Sequence, residues 1–342
     1  AAGGQVPIVY VAPTGDDANS GRYSTQPVKS IQRGLDLAAA GGTVILDRGT
    51  YYLMDTIRVT NGITLLGRLT PKYQVLVGNG LVRAVLLITG SVENVSITGG
   101  YAWGYTPEEL GGGGVKIVGD GCILRNCRVY RNTSVVAANG GGILVQGRNA
   151  LVENCYVYSN SVGMHGGGIA VETPGGGTQV VRNCLVFTNR ADVAGGGIAV
   201  MGANNADQHV EISECTVARN VAGMEAGGIE IDKPGWGQDL FCDIRNTVTY
   251  FNQISGFNLG PGTNIYFGLS PSLSKMFYSC SVPLLYPTGG NITNNPKFQS
   301  ATSYRLQSSS PCVKAGTNAD NMAETDIDNS THLRIINGRV DL

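Results

Sequence analysis

The chain repeats itself. The stretch NCRVYRN at 126–132 returns as NCYVYSN (154–160), NCLVFTN (183–189), ECTVARN (214–220) and, faded, NTVTYFN (246–252). A glycine-rich turn and a short apolar run follow the first four copies: GGGILV (140–145), GGGIAV (166–171), GGGIAV (195–200) and AGGIEI (226–231). An earlier degenerate copy reads ENVSITGG (93–100), then GGGVKIV (112–118). Cys127, Cys155, Cys184 and Cys215 stand 28, 29 and 31 residues apart. A period of this size marks a solenoid, because one unit cannot bury its apolar face alone and must stack on the next.

Within each unit the apolar residues alternate, Cys155 with Val157 and Ile169 with Val171. Period two is the strand signature; a helical unit would space them at i, i+3, i+4 and avoid glycine triplets. Gly166–Gly168 carries no Lys and leads into a strand, so it is not a phosphate loop. The triplet is expected to turn a corner and let coils approach closely. The prediction is an all-β, single-stranded parallel β-helix with coils of about 28–32 residues.

Read down the stack, Cys127, Cys155, Cys184 and Cys215 form one inward column. Val129, Val157, Val186 and Val217 form a second, and Ile143, Ile169, Ile198 and Ile229 a third. Asn132, Asn160, Asn189, Asn220 and Asn252 form a ladder whose amides hydrogen-bond along the axis. Coils about 4.8 Å apart are slightly too far for disulfide geometry, so the cysteine column is expected to be free thiols. Cys280 and Cys312 lie outside the repeat, and their pairing is left open. Between the inward positions, Tyr130, Tyr158, Phe187, Ala218 and Tyr250 point outward, with Tyr156 beside them. So apolar an outer strand is either a ring stack or a surface for a partner, with Tyr130, Tyr156, Tyr158, Phe187 and Tyr250 as its candidates.

The segment SIQRGLDLAAAGG (30–42) is the best helix, with Ser30 as N-cap and Gly41–Gly42 as its stop. It is expected to plug one end of the solenoid. The chain then divides into a strand and capping helix (1–42), coils (43–269) and a C-terminal cap or tail (270–342). Fifty glycines and 14% charged residues do not suit a helical protein. A net charge of −1 with no basic run argues against nucleic acid. No apolar stretch of about 20 residues exists, so no membrane-spanning helix is expected. Three histidines and no C-x-x-C pair argue against zinc. The opening AAGGQVPIVYVAP lacks Met and a basic region, as expected of a chain processed for export.

The opening YVAPTGDDANSG…PVKSIQRGLDLAAAGGTVILDRGTYY resembles that of secreted bacterial right-handed parallel β-helix surface proteins. The GGGI coils are similar to polymorphic outer-membrane-protein-like and pectate-lyase-like repeats. YSCSV…GNITNNPKFQ…YRLQSSSPCVKAG…DIDNSTHLRIINGRVDL (278–342) resembles the closing segment of the same surface proteins. The resemblance implies a right-handed coil, a secreted or cell-surface location and an anchoring or sorting segment beyond Leu342.

Enzymes of this fold imply definite motifs. No Asp pair stands with the His-Gly and Arg-x-Lys that resemble polygalacturonases, and Asp16–Asp17 lies in the N-terminal loop. The Asn-Gly-(Gly/Ala)-Glu motif of alginate and chondroitin lyases has no match; EAGGIEID (225–232) is nearest. No catalytic residue is therefore assigned.

The loops after the glycine-turn strands offer a ligand-binding edge instead: Glu172, Asp207, His209, Glu230, Asp232, Lys233 and Asp239 beside Trp236. That edge is either a sugar-binding cleft or a solvated rim. No resident cofactor or metal is expected, with Ca²⁺ the one ion the acidic edge would admit. The insertion YAWGYTPEEL (101–110) presents Tyr101, Trp103 and Tyr105 to a sugar or a neighbouring molecule.

The leading expectation is an extracellular structural or adhesive protein acting by self-assembly, as a homo-oligomer or filament, or by binding a glycan or surface. The competing class is a carbohydrate-active enzyme, foremost a Ca²⁺-dependent polysaccharide lyase.

Overall fold

The architecture comes from a computed structural model. The structure describes residues 6–318 apart from 136, 173–175, 203–206, 233–238, 256–263, 269–272, 284–287 and 301, then residues 325–327, 329–333, 335–336 and 339–340. The chain is a parallel β-helix, each coil adding one strand to each of several sheets. A first sheet of ten strands runs from Val6–Val11 to Lys275–Phe277, and a second of nine from Gly49–Tyr52 to Cys280–Ser281. A short third sheet of six runs from Tyr101–Ala102 to Gln253–Ile254, and a fourth of eight from Ile57–Val59 to Ile265–Phe267. Helix α1 (Ile31–Leu37) closes one end, with Ser30 Oγ accepting from the Arg33 backbone N–H at 3.3 Å.

The stack begins earlier and ends later than the span 43–269 expected from the repeat. Val6–Val11 is already paired with Ala38–Leu46, and Cys280 pairs with Val248 as part of the second sheet. The helix also stops sooner than Gly41–Gly42. Ala38 leaves helical geometry at ψ 141°, and both glycines lie inside the following strand.

The motif N-C-x-V-x-x-N now has a physical reading at each place. Its first residue turns the corner between the first and second sheets in left-handed geometry: Asn126, Asn154, Asn183, Glu214 and Asn246 have φ of 47–57°. Asn tolerates this region better than most residues. The sixth residue turns the next corner, also at positive φ, in Arg131, Ser159, Thr188, Arg219 and Phe251. Between them Cys and Val point in. Valines, isoleucines and cysteines from Val9 to Met276 form one continuous apolar core along the axis. Full burial of each such Val or Ile stabilises by about 1.5–3 kcal/mol.

The asparagine ladder is complete. Asn160 Nδ2 donates to Asn189 Oδ1 at 3.0 Å and to Val129 O at 2.9 Å, and Asn132 Nδ2 donates to Asn160 Oδ1 at 3.0 Å. The pattern repeats through Asn220 and Asn252 and ends one rung later on Asn264. All eight cysteines are free and buried. In the column, Cys127 Sγ reaches Arg125 O at 3.1 Å, and burial holds its thiol well above the ordinary range, as it does that of Cys184. Thr247 and Ser279 continue the same column with hydroxyls.

The outward aromatic column is a ring stack. Tyr130 and Tyr158 lie 4.9 Å apart at 2°, and Tyr158 and Phe187 4.9 Å apart at 10°. Tyr156 carries the Arg128 guanidinium at 5.4 Å. The lower part of this column is not open to a partner, because the chain covers it. Tyr304 packs against Phe187 at 4.9 Å, and the Tyr250 hydroxyl donates to Thr293 O at 3.1 Å. Ala218, Val248, Cys280, Phe298 and Cys312 form a second small core beneath that segment.

Candidate functional site

The expected ligand edge separates into two places. Glu230 belongs to the outward face of the fourth sheet, in register with Ala199 and Tyr266, yet is only 2% exposed because turns fold over it. Its carboxylate meets His165 Nδ1 at 2.8 Å. Glu172 accepts from Asn139 and, at 3.3 Å, from Gln146. Asp232 ends the same strand as Glu230. These acids are engaged in structure rather than displayed. Lys233 and Trp236 lie outside the described residues.

Asp207, His209 and Asp239 lie one corner further on, at the first sheet. Asp207 Oδ1 accepts from the Asp239 backbone N–H at 3.0 Å, which ties successive coils at the rim. His209 starts the outward face of Gln208–Ser213, where its exposed ring stacks on Phe241 one coil later, 4.6 Å apart at 3°.

That stacked pair edges a groove of about 690 Å³ along the outer first sheet. Strand alternation and coil register dictate its contents. Glu211, Asp243 and Lys275 follow one another down one outward column. Arg182, Ser213, Arg245 and Phe277 follow down the next. Glu211 accepts from Ser213 Oγ at 2.7 Å, and Asp243 pairs with Arg245 at 3.0 Å. Arg245 also lies over the Phe277 ring at 5.1 Å. Arg182 is held by Glu153, which Arg125 grips from the other side at 2.8 Å. Burial pushes the Glu153 carboxyl up, but hydrogen bonds from Arg125 and Arg182 outweigh it and hold it below the usual range.

The groove thus has a flat ring platform, three cations and two carboxylates one rung apart. Flat rings bind apolar faces, while Arg and Lys bind carboxylates and hydroxyls. Of its lining only His209 was singled out from sequence. Phe241, Glu211, Asp243, Arg182, Arg245 and Lys275 were missed, although TQVVRNC, HVEISEC, FCDIRNT and KMFYS align over them once the repeat is extended backwards from its Asn-Cys corner.

Among the described residues no three His, Cys, Asp or Glu side chains converge as a metal site, and no helix is long and apolar enough to cross a membrane.

Residues 85–238 match the family model of the right-handed β-helix region. The fold is a right-handed parallel β-helix. The pectate lyase Pel9A is similar in structure, with TM-score 0.50 and 15% identity over 94% of each chain. Pectin methylesterase PemA from Erwinia chrysanthemi gives TM-score 0.48 and 12% identity over 84% of this β-helix and 92% of its own chain. A rhamnogalacturonan lyase gives 0.42 and 16%, over 85% and 83%. No curated protein matches the chain in sequence.

Proposed function

We propose that this β-helix binds an acidic polysaccharide lengthwise along the outer first sheet. The observation that carries the reading is the parallel His209–Phe241 stack beside Arg182, Arg245 and Lys275 in one groove. Sugar rings rest on the stack and a sugar carboxylate meets Lys275, while Arg182 and Arg245, ion-paired with Glu153 and Asp243, offer their remaining N–H groups to hydroxyls. A polymer suits a site built by repetition, because each rung offers the next residue similar chemistry. Binding without turnover is an adhesive role at an extracellular surface, where such polymers occur.

One observation favours a second reading, cleavage by β-elimination. Lys275 follows Asp243 and Glu211 in one column, so a base stands beside the two carboxylates that would hold a Ca²⁺ ion, which would stabilise negative charge developing at the sugar carboxylate. There Lys275 takes the proton α to the sugar carboxylate, the C–H electron pair forms a C=C bond as the glycosidic C–O bond breaks, and the leaving oxygen takes a proton from water.

Calorimetric titration with galacturonate oligomers and with neutral galactose oligomers, each with and without Ca²⁺, tests both. Saturable binding of the acidic oligomers, weakened tenfold or more in Phe241→Ala and Lys275→Ala, is expected. Unchanged affinity in both variants, or equal affinity for neutral oligomers, overturns the binding reading. Unsaturated products that vanish in Lys275→Ala would establish elimination, and their absence in the wild type refutes it.

A further inference from the structure

A second groove, of about 650 Å³, lies on the outer fourth sheet beneath the excursion that carries Tyr101, Trp103 and Tyr105. Two buried cations hold that excursion in place. Arg83, 8% exposed, donates through Nη2 to Glu109 O at 2.6 Å and through Nε to Gly111 O at 3.1 Å. Lys116, 2% exposed, donates through Nζ to Leu110 O at 3.0 Å and to Pro107 O. Their hydrogen bonds go to neutral carbonyls, while Glu109 attracts Arg83 and Glu172 and Glu108 attract Lys116 through space. Neither they nor the exposed Arg58, which repels Arg83 from the same groove, has an ion-pair partner among the described residues.

Two carboxylates also line the groove. Glu109 is committed within the excursion, accepting from the Tyr105 and Thr106 backbone N–H groups at 3.0 and 3.1 Å, and Glu108 is exposed. Glu172, bonded to the groove residue Gln146, also faces Lys116, so three acids answer the three cations, of which Arg58 is the exposed one. Its wall is apolar, with Leu81 and Trp103 each 60% exposed beside half-buried Tyr101. A surface residue of this size usually packs down; an indole left open in the same groove as the exposed Arg58 suits a ligand with both a ring face and a negative group.

We propose that this groove is a second saccharide site, separate from the first-sheet groove, which takes an anionic sugar with its ring on Trp103 and its carboxylate or sulfate on Arg58. With a site on two different sheets, one β-helix cross-links polymer strands or holds one strand at two points, and avidity exceeds either affinity.

Only two tryptophans exist, so Trp236→Phe leaves Trp103 as the sole indole emitter. Its fluorescence is titrated with galacturonate oligomers for carboxylate, heparin-derived oligomers for sulfate, and galactose oligomers as the neutral control. A saturable change with at least one anionic series, absent with the neutral one, is expected. Adding Arg58→Ala, an exposed position, should weaken it tenfold or more. Adding Phe241→Ala and Lys275→Ala should leave it unaltered, which separates this site from the first-sheet groove. No response to either anionic series, an equal response to galactose oligomers, an Arg58→Ala titration that overlays its parent, or loss of the response in the first-sheet variants overturns the proposal.

Discussion

His165 Nδ1 lies 2.8 Å from Glu230 Oε2 although 65 residues separate them in sequence. The contact spans two coils because Ala170 and Ala199, directly above Glu230 in its column, have side chains too small to block the imidazole. Burial lowers the His165 pKa, but its hydrogen bond to the Glu230 carboxylate outweighs this and raises it above the ordinary value of 6.5. Burial pushes Glu230 up from 4.5. Both folded-state values are raised, so the folded protein holds protons more tightly than the unfolded chain. The resulting stability is complete below pH 4.5 for Glu230 and below pH 6.5 for His165, and is lost as pH rises through each raised value. Melting temperature measured across this range should fall more steeply with pH in the wild type than in Glu230→Gln. At acid pH Glu230→Gln should cost about 1–3 kcal/mol, as for a buried polar contact remade imperfectly. Parallel wild-type and variant curves would remove the pair from the account.

Each ladder asparagine serves its neighbours on both sides. Asn189 Nδ2 donates to Val157 O and Asn220 Oδ1, while Asn189 Oδ1 accepts from the Asn160 backbone and side chain. Asn189→Ala strands buried groups on two coils and should cost about 3 kcal/mol or more, because each unsatisfied buried group costs about 1–3 kcal/mol. Asn189→Asp keeps the acceptor but loses the donor and buries a carboxyl, so it should also destabilise, increasingly as pH rises. Denaturant unfolding of the two variants at pH 5 and pH 8 checks the order; an alanine variant of wild-type stability would show the ladder to be ornamental.

The axial columns were legible because each repeats the same residue at the same place. Cys127 through Cys215 and Asn132 through Asn252 declare themselves in alignment, and strand alternation assigns them inward. The chemistry-bearing columns were not. Glu211, Asp243 and Lys275 share a column but not a residue type, so only the strand register reveals that they are neighbours. His165 sits in the repeated glycine turn, yet its partner two coils away depends on Ala170 in its own coil and Ala199 in the next. The cover over Phe187 comes from a segment with no periodicity at all, where sequence pattern has nothing to count.

That cover has its own test. Tyr304 caps the ring stack at Phe187 and also meets Phe298 at 5.5 Å, so it joins the C-terminal segment to the second sheet. Tyr304→Ala should open this segment without unfolding the coils, since local stability follows local burial. Cys280 and Cys312 lie beneath it at 0% exposure and within hydrogen-bonding reach of each other. In native buffer the wild type should resist a thiol reagent. The variant should label at Cys280 and Cys312 and stay protected at Cys127, Cys155, Cys184 and Cys215. Uniform labelling of all eight cysteines would mean global opening, and no labelling would mean that Tyr304 is dispensable.

The glycine triplet of GMHGGGIAV holds two different constraints, and substitution should separate them. Gly166 turns the corner at φ 72°, where an L-residue costs about 1–2 kcal/mol, and a Cβ there would stand 2.5 Å from Ile169 O of its own turn. The equivalent place two coils later is Ala226, at φ 45°, so the turn accepts a methyl group by a modest change of dihedral. Gly168 has no such precedent in the later coils, which keep Gly197 and Gly228 there. A Cβ on Gly168 would stand 2.6 Å from Gly197 O, 2.9 Å from Asn189 Nδ2 and 2.9 Å from Val186 Cγ1. It meets the next coil's backbone, the ladder and the core at once, and none can withdraw without breaking the stack. Gly168→Ala should cost about 3 kcal/mol, the upper end for overpacking, against about 1–2 kcal/mol for Gly166→Ala. Thermal unfolding of the two variants decides it: a smaller loss for Gly168→Ala would mean that the corner, rather than the approach of the coils, is what demands glycine.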